Sequence, residues 1–169
     1  FRRLLTGVFL LFVCCVHAGA QSPGRPPAAA IASAHPLATQ AGMEILAAGG
    51  NAFDAAVAVC AALAVVEPYS SGLGGGGFWL LHRAQDDFQV MVDAREQAPA
   101  AAHKDMYLDE NGEVDRDMAV NGPLAGGIPG EVAGMDHLAE HYGRLPLSVS
   151  LQPAIRIARE GFAVDEKFH

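Results

Sequence analysis

Glu67-Pro68-Tyr69-Ser70-Ser71-Gly72-Leu73-Gly74-Gly75-Gly76-Gly77-Phe78 is the stretch whose reading decides the fold. Five of the six residues at 72–77 are glycine. Such a backbone either passes where no side chain fits or turns through φ values that other residues avoid. The spacing Gly72-x-Gly74-x-x-Gly77 also satisfies a dinucleotide-binding fingerprint as a bare pattern. That fingerprint needs a preceding strand and a following helix, whose N-terminal amides hold the pyrophosphate. Here the order is reversed. An alanine- and valine-rich helical stretch precedes the glycines, and the apolar Phe78-Trp79-Leu80-Leu81-His82 follows them as a strand. No Gly-Lys-Ser/Thr follows, so a P-loop fails too. Nucleotide binding is rejected, and the run reads as scaffold that turns a helix into a hairpin.

Working outward, residues 36–48 have helical spacing, with Ala38, Ala41, Ile45 and Ala48 on one face. Pro36 suits the first turn and Gly49-Gly50 the C-terminal cap. Asn51 caps a second helix over 52–66, with Asp54 placed to complement the helix dipole. That helix is apolar on every side, which predicts burial in a large core, and it is too short and alanine-rich to span a bilayer. Beyond the glycines, strands over 78–83 and 88–93 with a turn at 84–87 predict a hairpin. Asp109-Glu110-Asn111-Gly112 predicts a surface turn, since its acids do not have calcium-loop spacing. Gly126-Gly127-Ile128-Pro129-Gly130 leads into a helix carrying Val132, Met135, Leu138 and Tyr142. A last helix, opened by Ser148 and closed by Gly161, carries Leu151, Ala154, Ile155 and Ala158.

Residues 1–20 read as a signal peptide: Arg2 and Arg3 as the positive region, 4–16 as the apolar region, Ala18-Gly19-Ala20 as the cleavage site. Cys14 and Cys15 lie inside the apolar region and lack the small residues expected before a lipidated cysteine. A Pro/Ala-rich leader follows over 21–31. The expected destination is periplasmic or extracellular, with no stable membrane association after cleavage. Phe1 rather than methionine at the first position suggests a sequence truncated at its start, and the stop after the last helix suggests an unfinished domain. Past residue 20 one cysteine remains, Cys60, so an internal disulfide is excluded there; among alanines and valines it reads as a small buried hydrophobe. Without Arg2 and Arg3, nine basic residues face nineteen acidic ones, a net charge of −10. That balance argues against nucleic acid as a partner.

Candidate chemistry is sparse. Asp93-Ala94-Arg95-Glu96 stands at a strand end, where a loop can hold a ligand group rigidly. The planar guanidinium fork matches a carboxylate bidentately. The residues alone favour a structural ion pair of Arg95 with Asp93 or Glu96 over a ligand contact. His137 and His141, four residues apart, lack a His-Glu-x-x-His pattern and read as an exposed helix face; no metal or cofactor is expected. His35 reads as a local cap or a core residue. Ser70 and Ser71 are not in a Gly-x-Ser-x-Gly elbow, and no base can be assigned to them.

Six blocks occur in order. They are His35-Pro36-Leu37-Ala38-Thr39, Gly49-Gly50-Asn51-Ala52-Phe53-Asp54-Ala55-Ala56-Val57-Ala58, and Val65-Val66-Glu67-Pro68 through Gly77-Phe78. The others are Arg95-Glu96-x-Ala98-Pro99-Ala100-Ala101, Gly127-Ile128-Pro129-Gly130 and Tyr142-Gly143-x-Leu145-Pro146. Together they resemble the γ-glutamyltransferase (γ-glutamyltranspeptidase) family over 32–169, the N-terminal portion of its large subunit. The resemblance implies an α+β fold, part of the αββα sandwich of N-terminal-nucleophile hydrolases. It implies a precursor that cuts itself, so that a threonine heading the small subunit becomes the nucleophile and its free amine the base. That threonine, the processing site and the family's oxyanion hole lie downstream, so no catalytic residue is present and residues 21–169 alone are expected to be inactive.

The resemblance carries over one substrate contact, Arg95, as the clamp on the α-carboxylate of the γ-glutamyl group. The implied partners are glutathione or another γ-glutamyl compound and the chain's own small subunit, without a cofactor. Tyr69, Trp79 and Ala94 depart from residues common in relatives, and Ala94 would bear on pocket width. Related cephalosporin or glutaryl acylases, capsule transpeptidases and a non-catalytic binding module are the rival readings.

Overall fold

The computed structural model describes residues 29–164 and 166. The expected signal peptide over 1–20 and most of the 21–31 leader lie outside the described residues. The chain divides into Phe1–Ala30 and Ile31–His169, and the architecture below is that of the second unit.

α1 (Pro36–Ala47) begins where His35 Nδ1 accepts a hydrogen bond from Leu37 N at 3.1 Å. Of the two roles open to His35, the cap is the one realised. α2 (Ala52–Val66) starts with a capping box: Asn51 Oδ1 accepts from Phe53 N and Asp54 N, and Asn51 N donates to Asp54 Oδ2 at 2.8 Å. The Asn51 side-chain cap alone is worth about 1 kcal/mol. α1 packs along α2, and Arg156 on a later helix reaches Glu44 of α1 at 2.6 Å.

β1 (Gly77–Arg83) and β2 (Phe88–Ala94) form an antiparallel hairpin in which Gly77 pairs with Ala94 and Arg83 with Phe88. Each strand is one residue longer than its spacing predicts, at the end nearest the glycines. Asp87 takes φ 53° in the connecting turn, and Arg83 pairs with Asp86 at 2.7 Å. Alternation then splits the hairpin into two faces. Trp79, Leu81, Val90 and Val92 pack on the helices, whereas Phe78, Leu80 and Met91 are 56%, 72% and 55% exposed.

The segment between β2 and the next long helix contains the turn expected at Asp109–Gly112, closed by Gly112 N donating to Asp109 O at 3.0 Å and flanked by a bridge between Leu108 and Val114. Asp109 Oδ1 accepts from the amides of Asn111 and Glu113, which lowers its carboxyl below the ordinary range. α3 (Arg116–Val120) and a 3-10 turn (Pro123–Ala125) follow, neither of them expected from the spacing.

α4 (Glu131–Tyr142) covers the predicted helix after Gly130. The last predicted helix is two pieces, α5 (Leu147–Ser150) and α6 (Gln152–Glu160). Ser148 lies inside α5 and does not open the helix. Pro153 in the first turn of α6 has no N–H for the carbonyl four residues back, so the ladder restarts at Leu151. Gly161 closes α6 at φ 81° as expected.

The core centres on α2. Ala38, Ala41, Val57, Ala61, Ala62, Val66, Leu81, Met135, Leu138, Ala154 and Ile157 form one buried cluster. The predicted all-round burial of α2 holds for one face only, because Phe53, Val59, Cys60, Leu63 and Val65 are half-buried. No helix among the described residues is long and apolar enough to cross a membrane.

Candidate functional site

The glycine run joins α2 to β1 without left-handed backbone. Among the described residues, the glycines with positive φ are Gly49, Gly112 and Gly161. Ser70 N and Ser71 N both donate to Glu67 O, and Gly75 N to Gly72 O at 3.1 Å, so the exit from α2 is a pair of ordinary turns. What the run does use is the missing Cβ at Gly76. A Cβ there would stand 2.5 Å from Ala94 O and 2.8 Å from both Arg95 Cα and Glu96 N. The run therefore serves the hairpin's far end more than the helix-to-strand turn.

Arg95 is the first residue beyond β2. Its amide donates to Asp93 Oδ1 at 3.0 Å, and its side chain is 70% exposed. Glu96 Oε2 lies 3.8 Å from Arg95 Nε, and is the guanidinium's ion-pair partner among the described residues. An exposed pair that long contributes little, about 0–1 kcal/mol. Of the two structural partners weighed for Arg95, Asp93 holds the backbone instead of the guanidinium, and Glu96 holds the guanidinium loosely. The Arg95 side chain stays largely open to solvent. Ala94, by contrast, is buried beside Gly134 and Trp79.

Among the described residues, several hollows border this segment. Arg95, Asp93, Gln97, Ile128, Gly130 and His137 border a groove of about 470 Å³ between β2 and the start of α4. Arg95 also borders a hollow of about 300 Å³ with Phe78 and Glu96. Behind the glycines, Cys60, Ser70, Ser71, Glu96 and Glu131 line a smaller one of about 210 Å³. In it, burial lifts the Cys60 thiol above its ordinary range, which suits a packing residue and not a thiolate nucleophile.

Burial also lifts the Glu131 carboxyl; a hydrogen bond with Cys60 opposes the shift and the charge of Glu96 adds to it. The folded chain therefore holds this proton more tightly than the unfolded chain. The stability it contributes is present below the ordinary glutamate range and is lost as pH rises through the elevated value. Glu131→Gln should remove that loss, so the variant's melting temperature should fall less than the native one between mildly acidic and neutral pH. Parallel melting profiles would contradict it.

His137 and His141 stack with ring centroids 4.2 Å apart on α4, and no group of three or more metal-ligating side chains exists among the described residues. Sequence reasoning missed two features that hold the site. Gln97 and Ile128 exchange backbone hydrogen bonds at 3.1 and 2.8 Å, and Gly130 N and Glu131 N both donate to Gly75 O at 3.0 and 3.1 Å. These bring the 127–130 block against the glycine run. Both blocks were visible as glycine clusters, but their mutual contact spans more than fifty residues, beyond any local periodicity.

Residues 38–169 match the family model described as Gamma-glutamyltranspeptidase. The chain is 46% identical over 144 residues to the glutathione hydrolase proenzyme of Escherichia coli (strain K12), which covers 85% of this chain and 25% of that relative. It thus spans about a quarter of the length of the curated relatives it matches. Among solved structures, Helicobacter pylori gamma-glutamyltranspeptidase superposes with a TM-score of 0.79 at 45% identity, covering 82% of this chain and 40% of that one. The gamma-glutamyltranspeptidase of Pseudomonas nitroreducens complexed with L-DON gives 0.78 at 42% identity, with 82% and 41% covered.

Proposed function

This chain belongs to the gamma-glutamyltranspeptidase family, and on that premise we propose that residues 32–169 are the N-terminal portion of the large subunit of a glutathione hydrolase proenzyme. Its fold is the mixed helix and sheet part of an N-terminal-nucleophile hydrolase, as in the solved relatives. The complete enzyme takes the γ-glutamyl group from glutathione or a related amide. The group passes to a threonine of the small subunit, outside these residues, and then to water or an amino acid. Residues 1–20 direct the precursor out of the cytoplasm, to a periplasm or the exterior.

Arg95 is the substrate contact this chain supplies, clamping the α-carboxylate of the γ-glutamyl donor. One observation carries the assignment: its backbone is tied by Asp93 while its guanidinium, loosely paired with Glu96, stands exposed at the edge of the groove. A donor carboxylate can take the fork in two parallel charge-assisted bonds that the 3.8 Å pair does not make. The apolar outer face formed by Phe78, Leu80 and Met91 supports the same reading, since an αββα sandwich buries both faces of its hairpins.

The test compares two anilide donors on the complete, processed enzyme, one with a free α-carboxylate and one with an α-carboxamide. A site built to bond a carboxylate should favour the free acid in kcat/KM by about 100-fold or more. Equal turnover of the two would remove Arg95 from the carboxylate role.

A further inference from the structure

We infer that Gly76, Gly130 and Asp93 are positioning residues that set where the Arg95 guanidinium is presented, by fixing the 94–96 backbone. This rests on the carboxylate-clamp reading of Arg95.

The Arg95 side chain is not pinned by packing, so its reach is decided by where its Cα sits. Backbone of two distant glycines approaches the 94–96 segment closely. A Cβ at Gly76 would meet Ala94 O, Arg95 Cα and Glu96 N, all within 2.8 Å. A Cβ at Gly130 would overlap the Ala94 carbonyl and stand 2.8 Å from Arg95 O. Ordinary contacts begin near 3.4 Å. None of these atoms belongs to a flexible side chain, so relieving either clash moves backbone, that of 94–96 or that of the glycine segment bonded against it.

The two glycine segments are also joined to each other. Gly75 O accepts from the amides of Gly130 and Glu131, and the Gln97–Ile128 bridge closes the far side. Asp93 completes the seat by accepting the Arg95 amide proton at 3.0 Å. The same run holds an internal contrast. A Cβ at Gly74 would meet nothing within 4 Å, so the glycine content as such is not what matters.

The experiment measures kinetics of both anilide donors for the complete enzyme and for Gly76→Ala, Gly130→Ala, Asp93→Ala and Gly74→Ala. Displacing Arg95 by part of an ångström should cut the preference for the free acid by about 10-fold or more in Gly76→Ala, through KM and not kcat. The carboxamide donor, which does not use the clamp, should lose clearly less than the free acid. Asp93→Ala alters only an exposed side chain and should reduce the preference by about 3- to 10-fold. It decides the matter if either glycine variant fails to mature. Gly74→Ala should match the native enzyme. An equal loss for both donors, or an undiminished preference in Asp93→Ala, overturns the seat while leaving the clamp intact. A native enzyme with no preference overturns the clamp itself and this inference with it.

Discussion

Arg95→Lys in the complete, processed enzyme is expected to raise KM for a γ-glutamyl donor by about 10- to 100-fold, with a smaller effect on kcat. Lysine keeps the charge, so long-range attraction for an anionic donor survives the change. What it loses is the planar fork: an ammonium is a compact point charge that cannot offer two parallel N–H groups to both carboxylate oxygens. The tenfold end of the range corresponds to about 1.4 kcal/mol, roughly one charge-assisted hydrogen bond. Glu96 bears on the size of the effect. Its 3.8 Å pair with Arg95 is too long and exposed to compete strongly for the guanidinium. Initial rates over a range of donor concentrations separate the two constants. An unchanged KM would place the α-carboxylate elsewhere.

Features governed by neighbours in sequence were legible. The Asn51 cap, the 36–48 and 52–66 helices and the hairpin all follow from local spacing, and the structure realises each within a residue at its ends. Arg95 stood out by residue type and by its place at a strand end. Its spacing favoured an ion pair, because Asp93 and Glu96 are both within reach of a residue between them, and the ligand role came from the family resemblance alone. The structure shows Asp93 engaged with the backbone, a role that side-chain charge does not announce.

Features that join distant segments were hidden. The close approach belongs to Gly76 and not to Gly75, where a Cβ would have its nearest neighbours at 3.4 Å. A strong folding defect is therefore expected from a bulky residue at 76 more than at 75. The break between α5 and α6 at Pro153 and the half-covered flank of α2 were likewise masked by a continuous apolar pattern. Periodicity reports which residues avoid water, and it is silent on what covers them.

Asp54 shows how far a local reading can understate a residue. As an acid in the first turn of α2 it complements the helix dipole, an effect of about 0.3–1 kcal/mol. In the fold its side chain is fully buried, and it accepts from Asn51 N at 2.8 Å, from Arg144 N at 3.0 Å and from Leu145 N at 3.2 Å. Two of those donors lie about ninety residues away. Asn51 adds a bond from its Nδ2 to Tyr142 O at 2.7 Å, so one capping box fastens the 142–145 turn to the start of α2. Asp54→Ala would leave three part-buried amides short of a partner, at a cost of about 3–5 kcal/mol in all. Such a loss approaches the whole stability of many domains. The complete precursor carrying Asp54→Ala is therefore expected to accumulate little soluble, processed enzyme. Asp54→Asn, which keeps one acceptor oxygen, should retain part of the melting temperature and mature partially. Donor KM should be native in whatever Asp54→Asn enzyme forms, because the seat of Arg95 is built from other residues. A native melting temperature in Asp54→Ala would show that the turn at 142–145 holds without the carboxyl group.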